Sequence, residues 1–142
     1  MNSLSIKLGI ILFIVGLSIF GYAEVWGQDW IYIGSTSRGE HFYDVESIAH
    51  PSKNIVRVKE KLVYTPSGIR EMVRGFGEKY KNLGNKIDLL EINCSDRTYT
   101  LLASTHYSKD GQSIESFDFG KAERSFIILG TVEEALYKIV CK

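Results

Sequence analysis

The chain has 142 residues, enough for one domain, with 17 Lys and Arg against 17 Asp and Glu. The only charged residue among the first 23 is Lys7, so residues 24–142 carry a net charge of −1. Charges that are balanced and interspersed give no electrostatic hold on nucleic acid or on an anionic membrane surface, which excludes both as partners.

Residues 1–23 read as a signal peptide and residues 24–142 as the folded domain. Lys7 precedes an apolar run from Leu8 to Phe20, and the small residues Gly21 and Ala23 follow at the spacing of a signal-peptidase site. Cleavage after Ala23 fits this best, with Gly27 second. A third reading retains the segment as an anchor, but its uncharged run ends at Glu24, short of a comfortable span of about 20 apolar residues. Cleavage would leave no stable membrane span. No cysteine marks the cleavage site, which argues against a lipoprotein.

Export makes a disulfide the default state of the two cysteines, Cys94 and Cys141, with a pair of buried free thiols as the alternative. No Cys-x-x-Cys-His attaches a haem, and no cofactor is expected.

Trp30–Gly34 alternates large apolar residues and predicts a first strand, Ser35–Glu40 a turn, and His41–Asp44 a short second strand. Ser47–Lys53, with His50 before Pro51, predicts an irregular stretch. Ile55–Tyr64 is the clearest strand. Val56, Val58, Leu62 and Tyr64 share one face with Glu60 among them, and the other face is mainly wet. Thr65–Gly68 breaks the strand. Ile69, Met72, Val73, Phe76, Tyr80 and Leu83 then recur at helical spacing, predicting an amphipathic helix weakened by Gly75 and Gly77. Its stripe either packs on the domain or offers Ile69, Met72, Val73, Phe76 and Tyr80 to a partner.

Lys86–Tyr107 predicts two antiparallel strands folded about Cys94–Arg97. Ile87, Leu89, Glu91 and Asn93 alternate with Asp88, Leu90, Ile92 and Cys94. In the second strand Tyr99, Leu101, Ala103, Thr105 and Tyr107 are expected on one face, with His106 turned away. Asp110–Gly111 marks a further hairpin into a strand near Ser113–Phe119, and Ser125–Leu129 is a short extended segment. A helix from Val132 to Cys141 closes the chain, with Thr131 as N-cap and Glu134 completing a capping box. Cys141 falls off the centre of this helix's apolar stripe. A bond to Cys94 therefore needs a frayed last turn or an oblique helix.

No catalytic constellation stands out. His41 and Asp44 lie three apart on a strand, hence on opposite faces, and no histidine pair has zinc-ligand spacing. Gly75-Phe76-Gly77 sits in a helical pattern rather than after a strand. Glu91 is read as a structural hydrogen-bond or ion-pair partner. The chain is expected not to be an enzyme. A cleft gathering His106, Glu91 and a third polar group would overturn that.

From Trp30 to Cys141 the chain resembles the surface-adhesin protein E family of Gram-negative bacteria. The matching pieces are Trp30-Ile31-Tyr32-Ile33-Gly34-Ser35, Tyr43-Asp44 with Ser47-Ile48, and Val56-Arg57-Val58. They continue with Leu90-Glu91-Ile92-Asn93-Cys94, Arg97, Tyr107, Asp110-Gly111, Glu134-Ala135-Leu136-Tyr137 and Cys141. The resemblance implies an antiparallel sheet with a disulfide-held C-terminal helix. It also implies export to the periplasm or the outer cell surface, where some members bind host matrix proteins. Ser125–Gly130 departs from the aromatic and prolines the family often has there, and Ile69–Leu83 is its most variable part.

The combined expectation is an α+β domain of about six antiparallel strands, a middle helix and a C-terminal helix tethered to the sheet. Its first functional reading is a non-enzymatic protein-interaction module, binding a matrix protein or a second copy of itself. The alternative is a small periplasmic ligand-binding or stress-related accessory protein that uses the sheet face between the two helices.

Overall fold

A computed structural model describes residues 28–142, so the predicted signal segment lies outside the described residues. The main path of one antiparallel sheet runs β1-β2-β4-β5-β6-β7, with β3 beside β4 and β8 beside β6. The strands are β1 (Trp30–Thr36), β2 (Gly39–Asp44), β3 (Ala49–Ser52), β4 (Ile55–Tyr64), β5 (Leu83–Asn93), β6 (Thr98–Ser108), β7 (Ser113–Asp118) and β8 (Ser125–Phe126). Helix α1 is Pro66–Phe76 and helix α2 is Val132–Val140.

Both helices lie on the face that carries the even-numbered residues of β4. Under α2 the core is Tyr43, Val56, Val58, Leu90, Ile92, Leu136 and Val140. Under α1 it is Leu62, Tyr64, Tyr80 and Leu83, with Ile69, Met72 and Val73 against them. The opposite face of the sheet is wet, as the alternation in β4 predicts, and there Arg57 Nε meets Glu91 Oε2 at 2.8 Å. β4 has its predicted bounds because its period-2 pattern is unbroken and turn residues flank it.

Several elements differ from the sequence expectation. α1 begins at Pro66 because Thr65 is a working N-cap: its Oγ1 accepts from the Gly68 N–H at 3.2 Å. Proline at the first helical position starts a helix rather than breaking one. α1 ends at Phe76 because Gly77, at φ +106°, closes it. Tyr80 falls in a separate 3-10 turn, Glu78–Tyr80, and Leu83 opens β5. β3 forms despite Pro51, on the margin of β4 where a missing N–H is tolerated.

The correction with the widest consequence is in β6. Leu89 pairs with Ala103 while Leu90 pairs with Leu101, so Leu102 is an extra residue. This bulge breaks the expected Tyr99–Tyr107 face. Tyr99 and Leu101 point to the helices, but beyond Leu102 that role passes to Ser104 and His106.

Cys94 and Cys141 are bonded, with Cα atoms 5.6 Å apart. The geometric difficulty is solved at the helix end. α2 stops at Val140, and Cys141 leaves helical geometry (φ −99°, ψ 71°) while its N–H still bonds the Tyr137 carbonyl. The Tyr137 hydroxyl in turn donates to the Cys94 carbonyl at 2.9 Å. At the other end of α2, Thr131 Oγ1 accepts from the Glu134 N–H at 3.2 Å. Glu134 Oε1 reaches back to the Gly130 N–H, one residue short of a reciprocal capping box.

Candidate functional site

The two helices leave a gap, and two concavities open there and beside it. The first, of about 580 Å³, lies between the β1–β2 turn (Ser35–Arg38) and the start of α2 (Gly130–Glu133). Its floor is a polar row in register: Glu60 pairs with Asp88, and Asp88 with Ser104, one residue from each of three neighbouring strands. The next row towards α2 is apolar, Val58, Leu90 and Leu101.

Each floor group has a partner. His41 Nδ1 donates to Glu60 Oε1 at 2.6 Å, and His41 Nε2 shares a hydrogen bond with the Thr36 hydroxyl at 3.0 Å. Ser104 Oγ donates to Asp88 Oδ1 at 2.5 Å, and Lys86 Nζ meets Asp88 Oδ2 at 2.8 Å. His41 and Asp44 are both buried, but on different errands. Asp44 Oδ1 accepts from the N–H groups of Asp29 and Glu46 and so caps the 3-10 turn Val45–Ser47.

The second concavity, of about 510 Å³, lies between α1 and β7 and is mostly apolar. Met72 and Phe76 of α1, Tyr80, His106, Phe117 and Phe119 wall it. Of the predicted partner stripe, Ile69, Met72 and Val73 are half-buried against Leu62, Tyr64 and Leu83. Tyr80 is 2% exposed and belongs to the core, with its hydroxyl donating to Glu115 Oε2 at 2.5 Å. Phe76 is 66% exposed. Phe117 at 39% and Phe119 at 37% join it from β7 and the residue beyond, stacked on one another 6.1 Å apart. The sequence concealed this pairing because β7 is short and polar and meets α1 only through the fold.

His106 sits between the Tyr64, Tyr80 and Phe117 rings, and its buried Nδ1 has no hydrogen-bond partner among the described residues. Burial, and then Lys86, hold its pKa below the ordinary 6.5, against opposing pulls from Asp88 and Glu115. Burial also pushes the Tyr64 and Tyr80 hydroxyls up to about 12, helped by Asp88 at Tyr64 and by Glu115 at Tyr80. On acidification below about 6.5 the unfolded His106 takes up a proton before the folded one does. The unfolded state then binds more protons, so stability falls with pH until the folded ring titrates as well. Chemical denaturation between pH 7.5 and 5 should show this fall, and His106→Phe, which keeps the ring packing, should flatten it. An unchanged slope in the variant would assign the fall to other groups.

Glu91 lies on the opposite face from His106, bound to Arg57, so the two do not share a cleft. His50 is exposed on β3. Among the described residues no group of three or more His, Cys, Asp or Glu side chains converges as metal ligands, and no helix is long and apolar enough to cross a membrane.

The fold has a setting among known proteins. Two structures of Haemophilus influenzae protein E superpose on this chain. One gives a TM-score of 0.52 at 15% identity, covering 79% of this chain and 86% of that one. The other gives 0.50 at 16% identity, covering 78% and 83%. At such identities the likeness is one of fold. No curated protein matches the chain. The sequence model for the family described as Surface-adhesin protein E matches residues 30–142, which is every described residue but Gln28 and Asp29. The chain thus belongs to the surface-adhesin protein E family.

Proposed function

We propose that the chain is an exported, adhesin-like protein-binding module without enzymatic activity. Its partner is a matrix protein or a second copy of itself, and its site of action is the periplasm or the outer cell surface. The observation that carries this reading is the aromatic-walled concavity between α1 and β7. Exposed Phe76, Phe117 and Phe119 flank an apolar trough, the kind of pocket that receives an aromatic or aliphatic anchor from a partner. From the stripe, Met72 and Phe76 form its α1 side, Ile69 and Val73 pack on the core beneath, and Tyr80 is a buried support.

The non-enzymatic reading rests on how the histidines are used. His41 commits both ring nitrogens to Glu60 and Thr36, leaving neither free to take a proton from a substrate. His106 is packed among aromatic rings and makes no carboxylate pair.

The test is surface plasmon resonance against purified extracellular-matrix proteins and against the chain itself. A partner should appear, and a Phe76→Ser/Phe117→Ser double variant should weaken it at least tenfold, since truncated aromatic anchors typically cost 2 kcal/mol or more. Absence of any partner, or undiminished binding by the double variant, would overturn the reading.

A further inference from the structure

We propose that the groove floored by Glu60 and Asp88, between the β1–β2 turn and the N-terminus of α2, binds a protonated amine. This goes beyond the protein-binding reading and uses a different concavity.

The floor is costly as built. Glu60 and Asp88 are each 6% exposed and directly opposed on neighbouring strands. Like charges so placed destabilise a sheet, and buried ion pairs are no more stabilising than apolar residues of similar volume. The adjoining row Val58, Leu90 and Leu101 shows that the sheet accepts apolar side chains at this depth. Departures of this kind from local folding rules concentrate where a site is maintained.

The charge that remains is negative. Of the fixed charges lining the groove, Lys86 is committed to Asp88, and Arg38 to Glu71 at 3.3 Å. Glu60 uses Oε1 on His41, while its Oε2 has no hydrogen-bond or ion-pair partner among the described residues. Glu133, on the α2 rim, has no ion pair among them either. Two carboxylates therefore face the same space with acceptor capacity to spare, and an ammonium group offers three donors. Tyr99 lines the same groove as Glu60 and Glu133. Its ring supplies a face for a cation. The groove's 580 Å³ is within the usual range for small-ligand sites.

The amine can be a free one or the side-chain ammonium of a lysine in another protein. Isothermal titration of the full chain with cadaverine, and separately with Nα-acetyl-lysine methylamide, distinguishes these by which binds more tightly. Either result supports the proposal. 1-Pentanol, of similar length and uncharged, should not compete. Glu60→Gln keeps an acceptor for His41, so it should fold and lower amine affinity at least tenfold. Glu133→Gln, at the surface, should lower it about threefold and holds the test open if the first variant unfolds. Phe76→Ser should leave amine affinity unchanged, which separates this site from the α1–β7 surface. Absence of binding by both amines, equal binding of pentanol, or full affinity in a folded Glu60→Gln or in Glu133→Gln would overturn the proposal.

Discussion

Replacing Cys94 by serine is expected to lower the unfolding free energy by about 4 kcal/mol, the chain-entropy value for a loop of 47 residues. The loop spans β6, β7, β8 and α2, so its release frees the last two fifths or so of the described chain in the unfolded state. Most of the loss should therefore appear through the denatured ensemble, with the native contacts of Leu136 and Val140 still formed. Urea titration of both single variants and the double variant provides the check. Cys94→Ser, Cys141→Ser and the pair should lose similar amounts, because each removes the same bond. A loss below 1 kcal/mol would mean that the packing of α2 alone holds the C-terminus. Thiol labelling of the denatured, unreduced wild type should find no free cysteine, matching the pairing of both sulfurs.

Gly68→Ala should be nearly as damaging, at about 3 kcal/mol, the upper part of the overpacking range. A methyl group at Gly68 would stand 2.3 Å from the Arg38 carbonyl oxygen, which is backbone and cannot rotate aside. That carbonyl also accepts the Thr65 N–H at 2.8 Å, so the β1–β2 turn and the start of α1 are locked together. Relief of the clash would separate α1 from the turn and loosen Leu62, Tyr64 and Tyr80 beneath it. Urea unfolding measures the loss. The same change at Gly75, where a methyl group meets open space, should be neutral or stabilising, since alanine favours a helix over glycine by about 1 kcal/mol. Equal effects at the two positions would show that helix propensity, not the contact with Arg38, governs α1.

The two glycines show why the site was less legible than the fold. Gly75 was readable as a weak point from composition alone. The need for Gly68 was hidden, because it comes from a strand turn about 30 residues away. The candidate surface follows the same division. Ile69, Met72, Val73 and Phe76 were visible at helical spacing, whereas Tyr80 left the helix at Gly77, and Phe117 and Phe119 arrived from β7 and the residue beyond it. The sheet face between the two helices is the expected place for a ligand, but its polar floor is not legible in the sequence, where Glu60 reads only as an acid on an apolar face. His41, Asp88 and Ser104 come from other strands, and only registry brings them to it.

What the amino-acid sequence determined by itself was local or covalent. It set the alternation that makes β4, the hairpin turn at Cys94–Arg97, the cap at Thr131, and the two cysteines that tie the tail to the sheet. These depend on periodicity, short-range hydrogen bonds and a count of two. Tertiary structure alone decided which residues share a face beyond Leu102 and which side chains meet in each concavity. One inserted residue in a strand reverses every side chain after it, and strand order, which no local pattern encodes, chooses the neighbours across the sheet.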